Sequence, residues 1–220
     1  MKTKIKNGGK ILFIGDSVTD CGRRTTERPL GSGYVKMFND YLIAREPEKR
    51  IEIINKGIDG DTSVALLNRW EDDVLRYKPD WLSIQVGIND LYRHLGNAAD
   101  GVSPERFEET YRKILKHTRA GLPRCEILLI QPFYLSQACA RDSFRRDVLA
   151  ILPQYLAVVE KMSKEFKTRI IRTHAMFQNL LKYYEPDVFC LEPVHPNLTG
   201  HMAIASAVYD RHVEGRDHHE

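Results

Sequence analysis

The sequence predicts an α/β protein, a three-layer α/β/α sandwich around one five-stranded parallel sheet. Two observations predict it. Short apolar segments suited to strands recur at Ile11–Ile14, Ile51–Asn55, Trp81–Val86, Glu126–Ile130 and Arg169–Arg172. The first of these is β-branched and aromatic-rich, as a strand buried on both faces should be. Between the runs lie stretches whose apolar residues repeat at helical spacing, so strands and helices alternate as in βαβ units. Right-handed crossovers then give a flavodoxin-like arrangement, with the loops after the strands gathered at one edge of the sheet.

Taken in order, the first run stops at Gly15-Asp16-Ser17 and a polar loop follows from Thr19 to Leu30, with Arg23, Arg24, Arg28 and Pro29. Tyr34, Val35, Phe38, Tyr41 and Leu42 predict a helix from about Gly33 to Ala44. The second strand closes at Lys56-Gly57-Ile58-Asp59-Gly60, and Asp61 or Thr62 caps a helix whose apolar face is Val64, Leu67, Trp70 and Val74. The third strand runs into Gly87-Ile88-Asn89-Asp90, and a long polar loop from Leu91 to Val102 follows. Ser103-Pro104 reads as an N-cap with proline at the first helical position, opening a helix that reaches Gly121. After the fourth strand and its exit loop, Gln131-Pro132-Phe133-Tyr134, a helix is expected from about Asp147 to Phe166, kinked or started by Pro153. The fifth strand, a helix from Ala175 to Tyr183, an irregular stretch from Glu185 to Pro196 and a last helix from Asn197 to His212 complete a single domain over residues 1–220. Residues 1–9 and 214–220 are expected to be flexible ends.

Composition narrows the function classes. The 33 basic and 30 acidic residues are interspersed, for a net charge of +3, which argues against a nucleic-acid arm or a membrane-binding basic patch. The basic N-terminus lacks the apolar core of a signal peptide, and no apolar run approaches membrane-spanning length, so a cytoplasmic location is expected. Four cysteines, Cys21, Cys125, Cys139 and Cys190, are scattered without paired spacing, as free thiols in a reducing compartment would be. The eight histidines show no HExxH or zinc-ligand spacing, so no metal is expected. There is no Gly-rich phosphate loop, and Asp16 puts a carboxylate where a phosphate would sit, which argues against a nucleotide-binding relative of the same fold.

Four loops carry residues with chemical promise: Ser17 after the first strand, Gly60 after the second, Asn89 after the third and His195 before the last helix. Each alone has a structural explanation. A serine at such a turn can be a helix cap, Gly60 a positive-φ turn, Asn89-Asp90 turn chemistry, and His195 an ordinary loop residue. Their joint occurrence, in this order and on loops that converge, is the stronger observation.

At these positions the chain resembles the SGNH hydrolases of the GDSL esterase/lipase superfamily. The resemblance rests on Gly15-Asp16-Ser17 with Val18-Thr19-Asp20, on Asn55-Lys56-Gly57-Ile58-Asp59-Gly60, on Gly87-Ile88-Asn89-Asp90 and on His195-Pro196. Lys56-Gly57-Ile58, Arg69-Trp70, Lys78-Pro79-Asp80-Trp81 and His195-Pro196 with Gly200-His201-Met202 are most similar to bacterial carbohydrate esterases of the acetylxylan esterase type. It implies the SGNH hydrolase fold and a serine esterase acting on short acyl esters, above all acetyl groups on sugars such as xylo-oligosaccharides. Ser17 would be the nucleophile and His195 the base. The backbone N–H groups of Ser17 and Gly60 and the Asn89 amide would hold the oxyanion. No cofactor is implied, and assembly into a homo-oligomer is expected from relatives.

One departure matters. The family places aspartate three residues before the histidine, where this chain has Glu192. Glu192 can orient His195 as glutamate does in some Ser-His-Glu hydrolases, or it can face solvent and leave the ring to a backbone carbonyl or to Asp187. Asp16, Arg69, Trp70 and Tyr134 are further candidates for shaping the substrate pocket. A lysophospholipase, thioesterase or acyltransferase using the same residues, and a catalytically impaired carbohydrate-binding relative, remain as alternatives.

Overall fold

Ile11 and Phe13 face one side of a central sheet and Leu12 and Ile14 the other, and all four side chains are fully buried. That double burial requires a layer of helices on each face. In the computed structural model, which describes residues 2–136 and 143–213, both layers are present. Along the chain run β1 (Lys10–Gly15), α1 (Ser17–Asp20), α2 (Tyr34–Arg45), β2 (Glu52–Gly57), α3 (Ser63–Asn68), α4 (Trp70–Asp73), β3 (Trp81–Gln85) and α5 (Ile88–Leu95). These are followed by α6 (Pro104–Gly121), β4 (Glu126–Ile130), α7 (Phe144–Phe166), β5 (Arg169–Ile171), α8 (Thr173–Leu180) and α9 (Leu198–Val213). Short 3-10 turns occupy Leu75–Tyr77 and Pro186–Val188.

The five strands are parallel in the order β2-β1-β3-β4-β5. Helices α2, α8 and α9 pack Phe38, Phe177 and Val208 against one face, while α4, α6 and α7 pack Trp70, Tyr111 and Tyr155 against the other. The chain leaves β1 for the edge strand β2 and then crosses back to β3 on the opposite side of β1. This reversal opens a crevice beyond the carboxyl ends of β1 and β3, where such sheets bind their ligands. Gly15 at the end of β1 pairs with Gly57 and with Gln85, so the exits of the first three strands lie level.

The structure corrects several expected boundaries. The segment expected as a polar loop from Leu91 to Val102 begins as α5: Ile88 and Leu91 are buried while Arg93 and His94 face outward, an amphipathic pattern too short to stand out in sequence. The helix expected to run unbroken past Trp70 breaks at Arg69 (φ −109°, ψ 11°), giving α3 and α4. Thr62, rather than Asp61, caps α3 through its hydroxyl. Helix α7 starts at Phe144, capped by Ser143, and carries Pro153 inside it. Among the described residues no helix is long and apolar enough to cross a membrane, and Cys21, Cys125 and Cys190 are free thiols. Cys139 and the tail from Glu214 onward lie outside the described residues.

Candidate active site

Ser17 stands at the first position of α1, immediately beyond β1. Asp16 caps that single turn by accepting from the Val18 N–H at 3.1 Å, which leaves the serine hydroxyl free of capping duty. The Ser17 Oγ lies 2.9 Å from His195 Nε2. Behind the ring, Glu192 Oε1 accepts from His195 Nδ1–H and also from the His195 backbone N–H at 2.7 Å. Its other oxygen accepts from the Val194 N–H at 3.2 Å. A carboxylate on Nδ1 assigns the proton to that nitrogen and leaves Nε2 as the acceptor facing the serine. The Glu192 side chain therefore folds back over the turn that follows Pro193, and it stays half exposed to solvent. Among the described residues the Asp187 side chain makes no hydrogen bond to the ring, and its backbone carbonyl accepts from Asn197 Nδ2 at 3.1 Å.

The second and third loops bring donors to the same edge. Gly60 adopts φ +77°, a left-handed conformation that glycine enters without a Cβ penalty. Its carbonyl accepts from Arg93 Nη2 at 2.8 Å, and its N–H meets no acceptor among the described residues. Asn89 sits in the first turn of α5, after Gly87 at φ +137°, where an added Cβ would come within 3.1 Å of Phe107 and Pro132. One N–H of the Asn89 amide donates to the Asp61 carbonyl at 3.0 Å, and the other stays available. Asp90, the next residue, is fully buried and accepts from the Ser63 backbone N–H with both oxygens at 3.0 Å, and from the Ser63 hydroxyl at 2.5 Å. Burial raises its pKa to about 6 against the pull of those bonds. The clamp fixes the start of α3 to the start of α5, so the Gly60 and Asn89 loops are held in register.

A cavity of about 360 Å³ opens over Ser17 and His195. Asp20, Cys21, Arg24, Thr25 and Asp59 line it, and among the described residues no aliphatic side chain does. Four residues expected at the pocket are placed elsewhere. Trp70 is 1% exposed in the core, with its indole N–H donating to Thr118 Oγ1 at 3.1 Å. Tyr134 is buried against Tyr92, edge to face at 6.2 Å. Arg69 pairs with Asp61 and Asp73 at 2.7 and 2.8 Å and donates to the Lys56 carbonyl, bracing the loop beneath the site. Asp16 is fully buried under α1, and burial pushes its carboxyl up to about 8.

Sequence reasoning missed His201. Its Nδ1 accepts from the Tyr34 N–H at 3.2 Å, and its Nε2 lies 3.4 Å from Cys21 Sγ. Burial lowers its pKa to about 4, so the ring is neutral and buttresses the Cys21 wall of the cavity. In sequence it stands only within the Gly200-His201-Met202 block of the family resemblance, with no role attached to it. Among the described residues no group of three or more histidine, cysteine or carboxylate side chains is placed to hold a metal ion.

A strand-to-helix serine, a histidine on its hydroxyl and a carboxylate on that histidine define a serine hydrolase arrangement on a parallel α/β sheet. The chain belongs to the GDSL-like lipase/acylhydrolase family, whose sequence profile matches residues 13–203, and it is a carboxylic ester hydrolase. It is 38% identical over 212 residues to an acetylxylan esterase of Geobacillus stearothermophilus, covering 93% of this chain and 94% of that protein. The crystal structure of an acetylxylan esterase from that organism superposes with a TM-score of 0.83 at 36% identity, covering 99% of this chain and all of that one. Catalytic mutants of it with a serine, an aspartate or a histidine replaced by alanine superpose equally well, the aspartate and histidine standing three positions apart like Glu192 and His195. An α/β hydrolase from the metagenome of Lake Arreo, Spain, matches at 30% identity over 93% of this chain and 94% of that chain, with a TM-score of 0.82.

Proposed function

We propose that this enzyme removes acetyl groups from acetylated xylo-oligosaccharides, with Ser17, His195 and Glu192 as its catalytic triad. The chain of contacts from Ser17 Oγ through the His195 ring to Glu192 carries this reading. His195 Nε2 takes the hydroxyl proton as Ser17 Oγ bonds to the ester carbonyl carbon, and Glu192 steadies the imidazolium that forms. The carbonyl oxygen, now negative, accepts from the N–H groups of Ser17 and Gly60 and from the free N–H of Asn89. His195 returns the proton to the departing sugar oxygen, leaving Ser17 acetylated. Water, deprotonated by the same nitrogen, then attacks the acyl carbon, and acetate leaves as Ser17 recovers its proton.

The lining of the cavity supports a short acyl group. Among the described residues that line it, Asp20, Arg24, Thr25 and Asp59 offer hydrogen bonds to sugar hydroxyls and none presents an apolar wall to a fatty chain. The likeness to acetylxylan esterases over nearly the whole chain points the same way. The free thiols suit a reducing compartment, and we place the enzyme in the cytoplasm on that ground. The decisive experiment measures acetate release from acetylated xylo-oligosaccharides beside a series of p-nitrophenyl esters of rising chain length, with Ser17→Ala as control. Acetate release lost in the variant supports the reading. A preference for long acyl chains, or turnover unaffected by Ser17→Ala, overturns it.

A further inference from the structure

The loop between α1 and α2 carries Arg23, Arg24 and Arg28, and the triad uses none of them. With Lys56 they line a second cavity of about 470 Å³ against the edge strand β2, and among the described residues no carboxylate lines it. Two of the four cations are neutralised. Lys56 pairs with Asp73 at 2.9 Å and lies over the Tyr77 ring, and Arg24 stands 3.7 Å from Asp20. The other two are not. Arg23 is half-buried, and its Nε donates to the Gly57 carbonyl at 2.6 Å, yet among the described residues no carboxylate comes within ion-pairing distance of it. Arg28 is exposed and likewise has no ion pair among the described residues. A half-buried guanidinium without an ion pair loses hydration and is only partly compensated: burial lowers the pKa of Arg23, although the more distant carboxylates of Asp20 and Asp73 pull the other way.

This cavity adjoins the catalytic one, since Arg24 lines both. The alcohol part of an ester held at Ser17 has only to pass Arg24 to reach Arg23 and Arg28. Pro29, Leu30 and Ile53 supply an apolar wall there, suited to the C–H face of a pyranose ring. Guanidinium forks match a carboxylate in two parallel hydrogen bonds. We propose that this cleft binds the carboxylate of a uronic acid carried by the acetylated oligosaccharide, so that acidic substrates are preferred to neutral ones. The inference rests on the carbohydrate-esterase reading above and adds a charge specificity to it.

The test uses two acetylated xylo-oligosaccharides of equal length and acetylation, one bearing a glucuronic acid branch. Calorimetric titration of the full-length Ser17→Ala variant decides the cleft, and turnover of the neutral compound by the native enzyme decides the ester reading. The acidic compound should bind about tenfold more tightly at low salt, as one charge-assisted bidentate contact implies. That preference should shrink as salt screens the exposed arginines. Arg28→Ser, at an exposed position that leaves folding intact, should cut the preference severalfold, and adding Arg23→Gln should remove the rest. Equal binding of the two compounds overturns the inference while neutral turnover leaves the esterase reading standing. A binding preference without turnover of either compound upholds the cleft and overturns the esterase reading instead.

Discussion

One carboxylate oxygen of Glu192 accepts from both the backbone N–H and the ring Nδ1–H of His195, so a single side chain fixes the turn and the tautomer together. His195 is 58% exposed and Glu192 50%, so the pair depends on these hydrogen bonds rather than on a dry environment. Replacing Glu192 by Gln keeps the shape but offers an amide that can present the wrong hydrogen-bonding edge. We expect kcat to fall by about 10² to 10⁴ with KM little changed. Asp187→Ala should leave kcat intact, because its side chain does not reach the ring. Steady-state kinetics on p-nitrophenyl acetate checks both, and a loss on Asp187→Ala alone would reverse the assignment.

Asn89 offers a neutral donor whose partner N–H is already tied to the Asp61 carbonyl. Asn89→Ala should lower kcat by about 10² to 10³ and leave the unfolding midpoint nearly unchanged. An unaltered kcat would remove Asn89 from the oxyanion site.

Asp16 gives a pH test with a defined sign. Its folded-state pKa of about 8 lies above its ordinary value of 3.8. Between those values the unfolded chain has released a proton that the folded one retains, so this residue makes the fold less stable as pH rises through the window. Asp16→Asn keeps the acceptor for the Val18 N–H and removes the titration. Its stability relative to the native protein should improve from about pH 5 to about pH 8, by on the order of a few kcal/mol. Thermal unfolding at the two pH values reads this out, and a pH-independent difference would refute the protonated assignment.

Trp70 is a test of placement. As a core residue, Trp70→Ala should cost about 3–5 kcal/mol in urea unfolding, while KM of the folded enzyme stays the same. A raised KM without lost stability would return the indole to the substrate pocket.

The contrast between these residues shows what is legible in the sequence. Ser17, Gly60, Asn89 and His195 can be located because each lies in a loop at an exit from the sheet, and parallel topology alone makes those loops converge. Trp70 and Arg69 are misplaced by sequence reasoning because their direction depends on the break between α3 and α4, which is stabilised by ion pairs to Asp61 and Asp73. Nothing in the local pattern announces that break. Tyr134 lies in an exit loop yet turns inward, since Tyr92 offers it an aromatic edge across the chain. Sequence prefers Glu192 to Asp187 only through its place three residues before His195, while the contact itself rests on the backbone N–H groups that bind the carboxylate after Pro193. The role of His201 is not legible there because its partners, Tyr34 and Cys21, come from the far end of the chain.

The hydrogen bond between Ser17 and His195 joins residues 178 positions apart. Its two halves ride on the first strand and on the segment entering α9, and α9 packs against α2 beside β1. During synthesis Ser17 emerges long before His195, and loop closure over that span is completed only when the last helix docks. The nascent polypeptide is thus catalytically silent until its tertiary structure is finished. In the mature protein, transient undocking of α9 should switch hydrolysis off before the sheet itself comes apart, which makes catalysis an early reporter of partial unfolding.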